Sequence, residues 1–124
     1  MQYLLVFAGG GLGSLLRYGI ARGMVSYNFT FPYATLLANI LSCIILGFFV
    51  AWSLKEGVSD GTKLFFMVGL CGGFSTFSTF SNETFSLFET GNYSYAFANI
   101  LGSIVVCLLA IYMGIKLGEL VIGS

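Results

Sequence analysis

Long apolar stretches divide the chain into four segments that are separated by short polar connections. A helix that crosses a membrane needs about 20 consecutive and mostly apolar residues, and each segment is long enough. The pattern therefore predicts an all-α membrane protein in which one transmembrane domain takes up residues 1–124. Its four transmembrane helices are expected at about residues 3–25, 31–54, 64–88 and 95–117.

The third span differs from the others because polar side chains interrupt it. From Ser75 to Thr84 every residue except two phenylalanines is polar. Polar groups are costly in hydrocarbon unless protein, water or an ion satisfies them. This segment is therefore predicted to face protein or an ion path rather than lipid, which indicates conduction or transport.

Two adjacent glycines, Gly72 and Gly73, come just before the polar segment. Glycine is found where a helix breaks and where another backbone approaches closely. We expect a break in the third helix, or a close approach, at this point. A broken helix exposes backbone carbonyl and N–H groups at membrane depth, where they can bind ions.

Small residues recur four positions apart along the spans. This spacing lets helix backbones approach closely in lipid, so it predicts tight packing within the subunit or between subunits. The pairs are Gly9 and Gly13, Gly10 and Ser14, Gly69 and Gly73, and Gly114 and Gly118.

Composition narrows the possible functions. Of the 124 residues, 57% are hydrophobic and only 8% are charged, which excludes an ordinary soluble domain. The formal net charge is zero, so nucleic-acid binding has no electrostatic basis. The chain has no histidine, and no nucleophile, base and orienting group can be assembled, so an enzyme is not expected. The cysteines are expected to be small apolar core residues; they are Cys43, Cys71 and Cys107.

Two phenylalanines of the polar segment, Phe77 and Phe80, are three residues apart and would share one face of a helix. The edge of an aromatic ring is positive, so two edges turned toward a path could attract a small anion. The alternative is that both rings only pack. Neighbouring hydroxyls such as Ser78 could donate to an anion or bond back to their own helix.

Polar side chains also lie in the middle of the second and fourth spans. Asn39 follows Thr35 by one turn in the second span, and Ser103 follows Asn99 by one turn in the fourth. An amide at this depth is costly unless it is paired. These side chains either line an ion path or bond across a helix interface.

Two charged residues stand apart from the rest. Glu83 is the only carboxylate well inside a predicted span. It could serve as a proton site, a partner for an arginine or a hydrogen-bond acceptor. Arg17 follows an apolar run; it could lie in a vestibule that attracts anions, or extend to the membrane interface.

The basic residues at the span ends show little bias between the two sides of the membrane. One side would hold Lys55, Lys63 and Lys116, and the other would hold Arg17 and Arg22. Because the basic residues at cytoplasmic ends set orientation, so small a difference is compatible with insertion in both directions. An antiparallel dimer is therefore possible, and a single fixed orientation also remains open.

Each predicted span carries one short motif. The third has C-G-G-F-S-T-F-S-T-F-S at residues 71–81, and the first has G-G-G-L-G-S-L-L-R-Y at residues 9–18. The second has A-N-I-L-S at residues 38–42, and the fourth has N-I-L-G-S at residues 99–103. In this order the motifs resemble the four helix signatures of the CrcB/Fluc family of fluoride channels. The likeness covers the whole chain, and its most specific part is the third-helix motif.

The resemblance implies a fluoride-selective channel that is an antiparallel, dual-topology homodimer with two pores in the cell membrane. It implies that Phe77 and Phe80 contact fluoride through their ring edges. Asn99 is included in the path; it stands where some relatives carry a tyrosine. The other polar positions of the implied path are Asn39, Ser78, Thr35 and Ser103.

The resemblance also implies a structural Na⁺ at the centre of the dimer. Backbone carbonyls that correspond to Gly72 and Ser75 would hold it. Some organisms carry two such chains that work only together, so the second subunit is either another copy of this chain or a sister chain. The expected partners are therefore fluoride, a second subunit and the lipid bilayer.

Passive fluoride export that protects the cytoplasm is the leading hypothesis. The main alternative is a small four-helix, dual-topology antiporter that exports cationic drugs in exchange for protons. Such a transporter would need a buried acid in its first helix, and residues 3–16 contain none. An accessory subunit without a path would not need the polar third span.

Overall fold

The structure is a computed structural model that describes residues 1–55 and 57–123. Four helical spans are long and apolar enough to cross a membrane, which confirms the predicted all-α architecture. The elements are α1 (Gln2–Met24), α2 (Tyr33–Lys55), α3 (Asp60–Thr62), a π-helical segment (Lys63–Leu70), α4 (Cys71–Phe74), α5 (Phe77–Glu89) and α6 (Tyr93–Ile122).

The helix ends differ from the predicted ones where local capping decides them. The third span begins at Asp60 rather than at residue 64, because the Ser59 hydroxyl accepts the Thr62 N–H at 3.2 Å and caps the first turn. Helix α1 continues as a 3₁₀ turn to Tyr27 and stops at Asn28, whose φ of 54° is left-handed. Helix α6 runs to Ile122, past the predicted end at residue 117.

Two residues in the middle of the third span are extended rather than helical. Helix α4 ends at Phe74, and α5 begins at Phe77. Between them Ser75 has φ −84° and ψ 156°, and Thr76 has φ −151° and ψ 120°, so both are extended. The extended pair therefore follows the glycine pair Gly72–Gly73, which itself lies inside α4.

Glycines hold α1 against the third span. A Cβ at Gly13 would lie 2.7 Å from the backbone nitrogen of Phe74, and one at Gly9 would lie 2.9 Å from that of Leu70. Gly73 approaches the backbone of Gly10 just as closely. These contacts confirm tight packing within the subunit, because only a residue without a side chain fits there.

A second glycine contact joins α2 to α6. Gly114 of α6 lies against the backbone of Ile44, as the small-residue pattern predicts. Gly47 of α2 was not singled out by that pattern, yet a Cβ there would lie 2.9 Å from the nitrogen of Ile115. The four spans thus form two closely packed pairs, and small residues such as Ala38 are fully buried in the subunit.

Candidate functional site

A groove of about 270 Å³ lies where α2, α6 and the extended residues of the third span meet. It brings together four residues that the sequence assigns to the path, namely one amide, one hydroxyl and two aromatic rings. All of the side chains that line it are uncharged. They are Asn39, Cys43, Ser75, Thr76, Phe77, Phe80, Ser103, Ile104 and Cys107.

The amide of Asn39 fixes the extended backbone beside the groove. Its Oδ1 accepts the N–H of Thr76 at 3.0 Å, so this N–H does not continue the helix to Gly72. A backbone donor at this depth needs a partner, and the side chain from α2 supplies it. The Nδ2 protons of Asn39 remain available to a ligand in the groove.

The two phenylalanine rings lie at the start of α5. Their centroids are 5.7 Å apart and the ring planes meet at 35°. Phe77 is 78% exposed in the single chain, while Phe80 is half-buried. Thr76 caps this helix by accepting the Thr79 N–H at 3.2 Å. The rings therefore stand at the positive end of the α5 dipole, which favours an anion.

Ser103 connects the groove to a buried chain of hydrogen bonds. Its hydroxyl donates to Oδ1 of Asn99 at 3.1 Å, and Nδ2 of Asn99 donates to the Thr84 hydroxyl at 2.9 Å. The Thr84 hydroxyl in turn donates to the Phe80 carbonyl at 2.8 Å. Asn99 is only 1% exposed and lies behind the groove rather than in its wall.

Two other predicted path residues lie away from the groove wall. Ser78 is exposed on α5, with its hydroxyl 3.3 Å from that of Thr76. Thr35 is buried on α2, one turn before Asn39, and lies beside the carboxyl group of Glu83. The roles of these two residues in ion passage stay predictions.

Glu83 lines two cavities on the side of Pro32 rather than the groove. Its Oε1 is buried, and no hydrogen-bond partner for this atom is present among residues 1–55 and 57–123. Within the same residues Glu83 forms no ion pair with an arginine, so that interpretation of its role gains no support.

The carbonyl oxygens near the end of α4 differ in the hydrogen bonds that they accept. The Cys71 carbonyl accepts the N–H and the hydroxyl of Ser75, at 3.1 and 2.8 Å, and the Ser42 hydroxyl at 3.0 Å. The carbonyls of Gly72 and Ser75 lose their helical donors, because the N–H groups of Thr76 and Thr79 are donated to side chains.

These two carbonyls are hard oxygen ligands of the kind that Na⁺ needs. Gly72 is exposed in the single chain, and a Cβ there would meet no atom within 4 Å. The carbonyls of Gly72 and Ser75 thus have the ligand chemistry that Na⁺ needs, and their role in holding the ion stays a prediction.

Arg17 of α1 contacts the third span. It is half-buried, and its Nε donates to the Gly73 carbonyl at 3.3 Å. The guanidinium group thereby places positive charge at the carbonyl end of α4, where it offsets the negative end of the helix dipole. The predicted vestibule role stays a prediction.

The cysteines do not share one environment. Cys71 is buried, as expected of a core residue, and its thiol donates to the Ser42 carbonyl at 3.6 Å. Cys43 and Cys107 are half-buried and line the groove, which the expectation of three core residues missed. The signal was present, because Cys43 follows Asn39 by four residues and Cys107 follows Ser103 by four.

Four membrane-spanning helices and a groove of uncharged donors at the helix junction define a small multi-pass membrane protein with a polar site at membrane depth. Residues 4–115 match the family model described as CrcB-like protein, Camphor Resistance (CrcB). The chain therefore belongs to the CrcB family.

Curated relatives carry the name Fluoride-specific ion channel FluC. The relative from Phocaeicola vulgatus is 42% identical over 117 residues, which cover 94% of this chain and 97% of the relative. The relative from Dehalococcoides mccartyi is 40% identical over 121 residues, which cover 96% of this chain and 93% of the relative. That from Rhodospirillum rubrum is 41% identical over 120 residues, covering 92% of each. These relatives are named as ion channels rather than enzymes, and they give no support to the antiporter hypothesis.

Proposed function

We propose that the chain is a subunit of a fluoride-selective channel that lets fluoride leave the cell passively and so lowers its toxicity. The observation that carries this proposal is the groove that unites Asn39, Phe77, Phe80 and Ser103 in a chain whose relatives are named fluoride-specific channels. Fluoride and the lipid bilayer are then the immediate partners of the protein.

The chemistry of the groove suits a small, strongly hydrated anion. Fluoride sheds water only where several donors replace the lost hydrogen bonds at once. The Nδ2 group of Asn39 and the positive ring edges of Phe77 and Phe80 provide such donors. The Ser103 hydroxyl, which also lines the groove, could join them by turning its proton away from Asn99. The start of α5 adds the positive end of a helix dipole.

Uncharged donors also allow the ion to leave. Conduction requires binding that is favourable enough for entry yet weak and distributed enough for release. A lysine or arginine in the wall would hold the anion, whereas the residues that line this groove are all uncharged. Arg17, the cationic residue that the sequence associates with the ion route, is engaged with the Gly73 carbonyl.

A second subunit covers the exposed polar face of α5 in this proposal. Ser78, Ser81 and Asn82 are exposed in the single chain although they lie within a membrane span. Lipid cannot satisfy these groups, so they would face another protein surface or the ion route beside it. Phe77, which is 78% exposed, would be covered by the same partner. An antiparallel copy of this chain, or a sister chain in that orientation, fits this requirement.

The central Na⁺ of the proposal would be held by the carbonyls of Gly72 and Ser75 from each subunit. Bound there, the ion would supply positive charge near the anion routes and a link between the subunits. What supports this site is that both carbonyls lack their helical donors.

Complementation of a fluoride-sensitive bacterial strain tests the proposed function. A strain that lacks its own fluoride exporter should regain growth on fluoride medium when it produces this chain alone. If growth returns only when a second family member is produced with it, the partner is a sister chain. Absence of growth in both cases, with the protein present in the membrane, would contradict fluoride export.

A further inference from the structure

Two free thiols share the groove with the polar side chains. Cys43 on α2 and Cys107 on α6 both line it, and the two thiols are neighbours. Each is half-buried, so each is reachable from the groove while its other side packs in the protein. The pair therefore joins two helices across the wall of the proposed path.

Two thiols at one site have a distinctive metal preference. Thiolates are soft ligands that select soft cations such as the d¹⁰ ions Ag⁺ and Cu⁺. These ions accept linear coordination by two sulfur atoms, whereas Zn²⁺ sites use four ligands. Among residues 1–55 and 57–123 no group of three or more cysteine, histidine or acidic residues could hold a metal. The groove thus offers a two-sulfur site and no larger one within that part of the chain.

We propose that Cys43 and Cys107 form a two-coordinate binding site for a soft monovalent d¹⁰ cation, and that its occupation closes the groove. Two thiols and one Ag⁺ give a bis-thiolate complex with a charge of −1 and release two protons, so charge and atoms balance. The complex places a fixed negative charge beside Asn39, Phe80 and Ser103. Fluoride would be repelled and the groove would be filled.

Metal retention by the purified full-length protein in detergent tests the site without any flux measurement. Silver nitrate is added in chloride-free buffer, a monothiol competitor follows, and silver is measured by elemental analysis after desalting. We expect one Ag⁺ per chain. Cys43→Ala and Cys107→Ala should each retain at least about tenfold less silver, because a single sulfur competes poorly with excess free thiol.

Cys71→Ala is the matched control. Cys71 is buried and its thiol is bonded to Ser42, so this variant should retain as much silver as the unaltered chain. Equal silver retention by the Cys43→Ala and Cys107→Ala variants and the unaltered chain would overturn the site. Loss of silver in the Cys71→Ala variant alone would also overturn it, because the metal would then be bound elsewhere.

Closure of the groove rests on the proposed function and needs a second measurement. Fluoride efflux from proteoliposomes is compared with and without Ag⁺, each variant being scaled to its own metal-free rate. Silver should abolish efflux through the unaltered chain and leave the Cys107→Ala variant largely unaffected. Unchanged efflux despite bound silver would overturn closure. Absence of efflux without silver would instead overturn the proposed function, and silver retention would still report on the metal site.

Discussion

At the scale of single residues, one side chain decides how the site is built. Asn39 accepts the Thr76 N–H at 3.0 Å, which removes the donor that would otherwise close the helix onto Gly72. The same amide keeps its Nδ2 protons for the groove. Asn39 therefore has two separable roles, one in shaping the backbone and one in offering donors to an anion.

Substitutions at Asn39 should separate these roles. Asn39→Leu leaves the Thr76 N–H without its acceptor, which should lower the free energy of unfolding by about 1–3 kcal/mol and abolish fluoride flux. Asn39→Asp keeps an acceptor oxygen but replaces the donors with negative charge, so the fold should persist while flux is lost. Thermal unfolding and flux from proteoliposomes measure the two effects. Full flux through the Asn39→Asp variant would contradict the donor role.

The phenylalanine rings can be tested in the same way. Phe77→Ile and Phe80→Ile keep apolar bulk but remove the positive ring edges, so each should reduce fluoride flux by about tenfold or more, which is about 1.4 kcal/mol in the barrier. Phe85→Ile is the control, because Phe85 lies on the same helix and does not line the groove. Equal flux in all three variants would mean that the rings only pack.

Only part of the site could be predicted from the sequence. Signals in the local sequence could be used, whereas contacts between residues that are far apart along the chain could not. Asn39, Phe77, Phe80 and Ser103 line one groove, and their roles in ion passage stay predictions. The two polar residues stood out because they interrupt apolar spans, and the two phenylalanines because they lie three residues apart within a polar segment. Asn99 has the same signal, but its bonds to Thr84 and Ser103 place it behind the groove, and helix periodicity cannot reveal such partners. The groove cysteines were missed because cysteine usually behaves as an apolar core residue.

At the scale of elements, the four spans could be predicted because hydropathy is a local property, whereas the junction between α4 and α5 depends on distant partners. The glycine pair Gly72–Gly73 lies inside α4, before the extended residues. The extended residues are instead Ser75 and Thr76, because the Thr76 N–H donates to the side chain of Asn39, which lies 37 residues away along the sequence. Glycine at position 73 serves close packing against Gly10 instead.

The packing of α1 against the third span gives a prediction at this scale. In Gly13→Ala the added Cβ would press on the backbone of α4, including the nitrogen of Phe74 at 2.7 Å, so stability should fall by about 1–3 kcal/mol. Gly19→Ala lies on the same helix, where a Cβ meets no atom within 4 Å, and should be neutral or slightly stabilising. Thermal unfolding in detergent would compare them; equal stability would contradict the packing account.

At the scale of the whole molecule, the single chain leaves polar groups exposed within a membrane span, and a second subunit would cover them. The polar side chains Ser78, Ser81 and Asn82 face outward within a span, and the Gly72 carbonyl lies at an exposed position. The sequence shows that these groups are polar, but it does not show which neighbour satisfies them. The proposed antiparallel partner and shared Na⁺ would account for both features together.

The sodium proposal predicts that dimer stability depends on the cation present. Protein prepared with a large organic cation in place of Na⁺, at equal ionic strength, should dissociate into subunits faster, because carbonyls of Gly72 and Ser75 would repel one another without the ion. Exchange between subunits carrying two different labels measures this rate. The same rate with and without Na⁺ would remove the ion from the account.

In the proposed function, the groove carries fluoride across the membrane. Fluoride and chloride efflux from vesicles that contain only the purified protein tests this claim most directly. We expect fluoride to leave far faster than from protein-free vesicles, while chloride efflux stays at the protein-free level. Fluoride efflux no faster than from protein-free vesicles, or equal passage of both anions, would contradict the account.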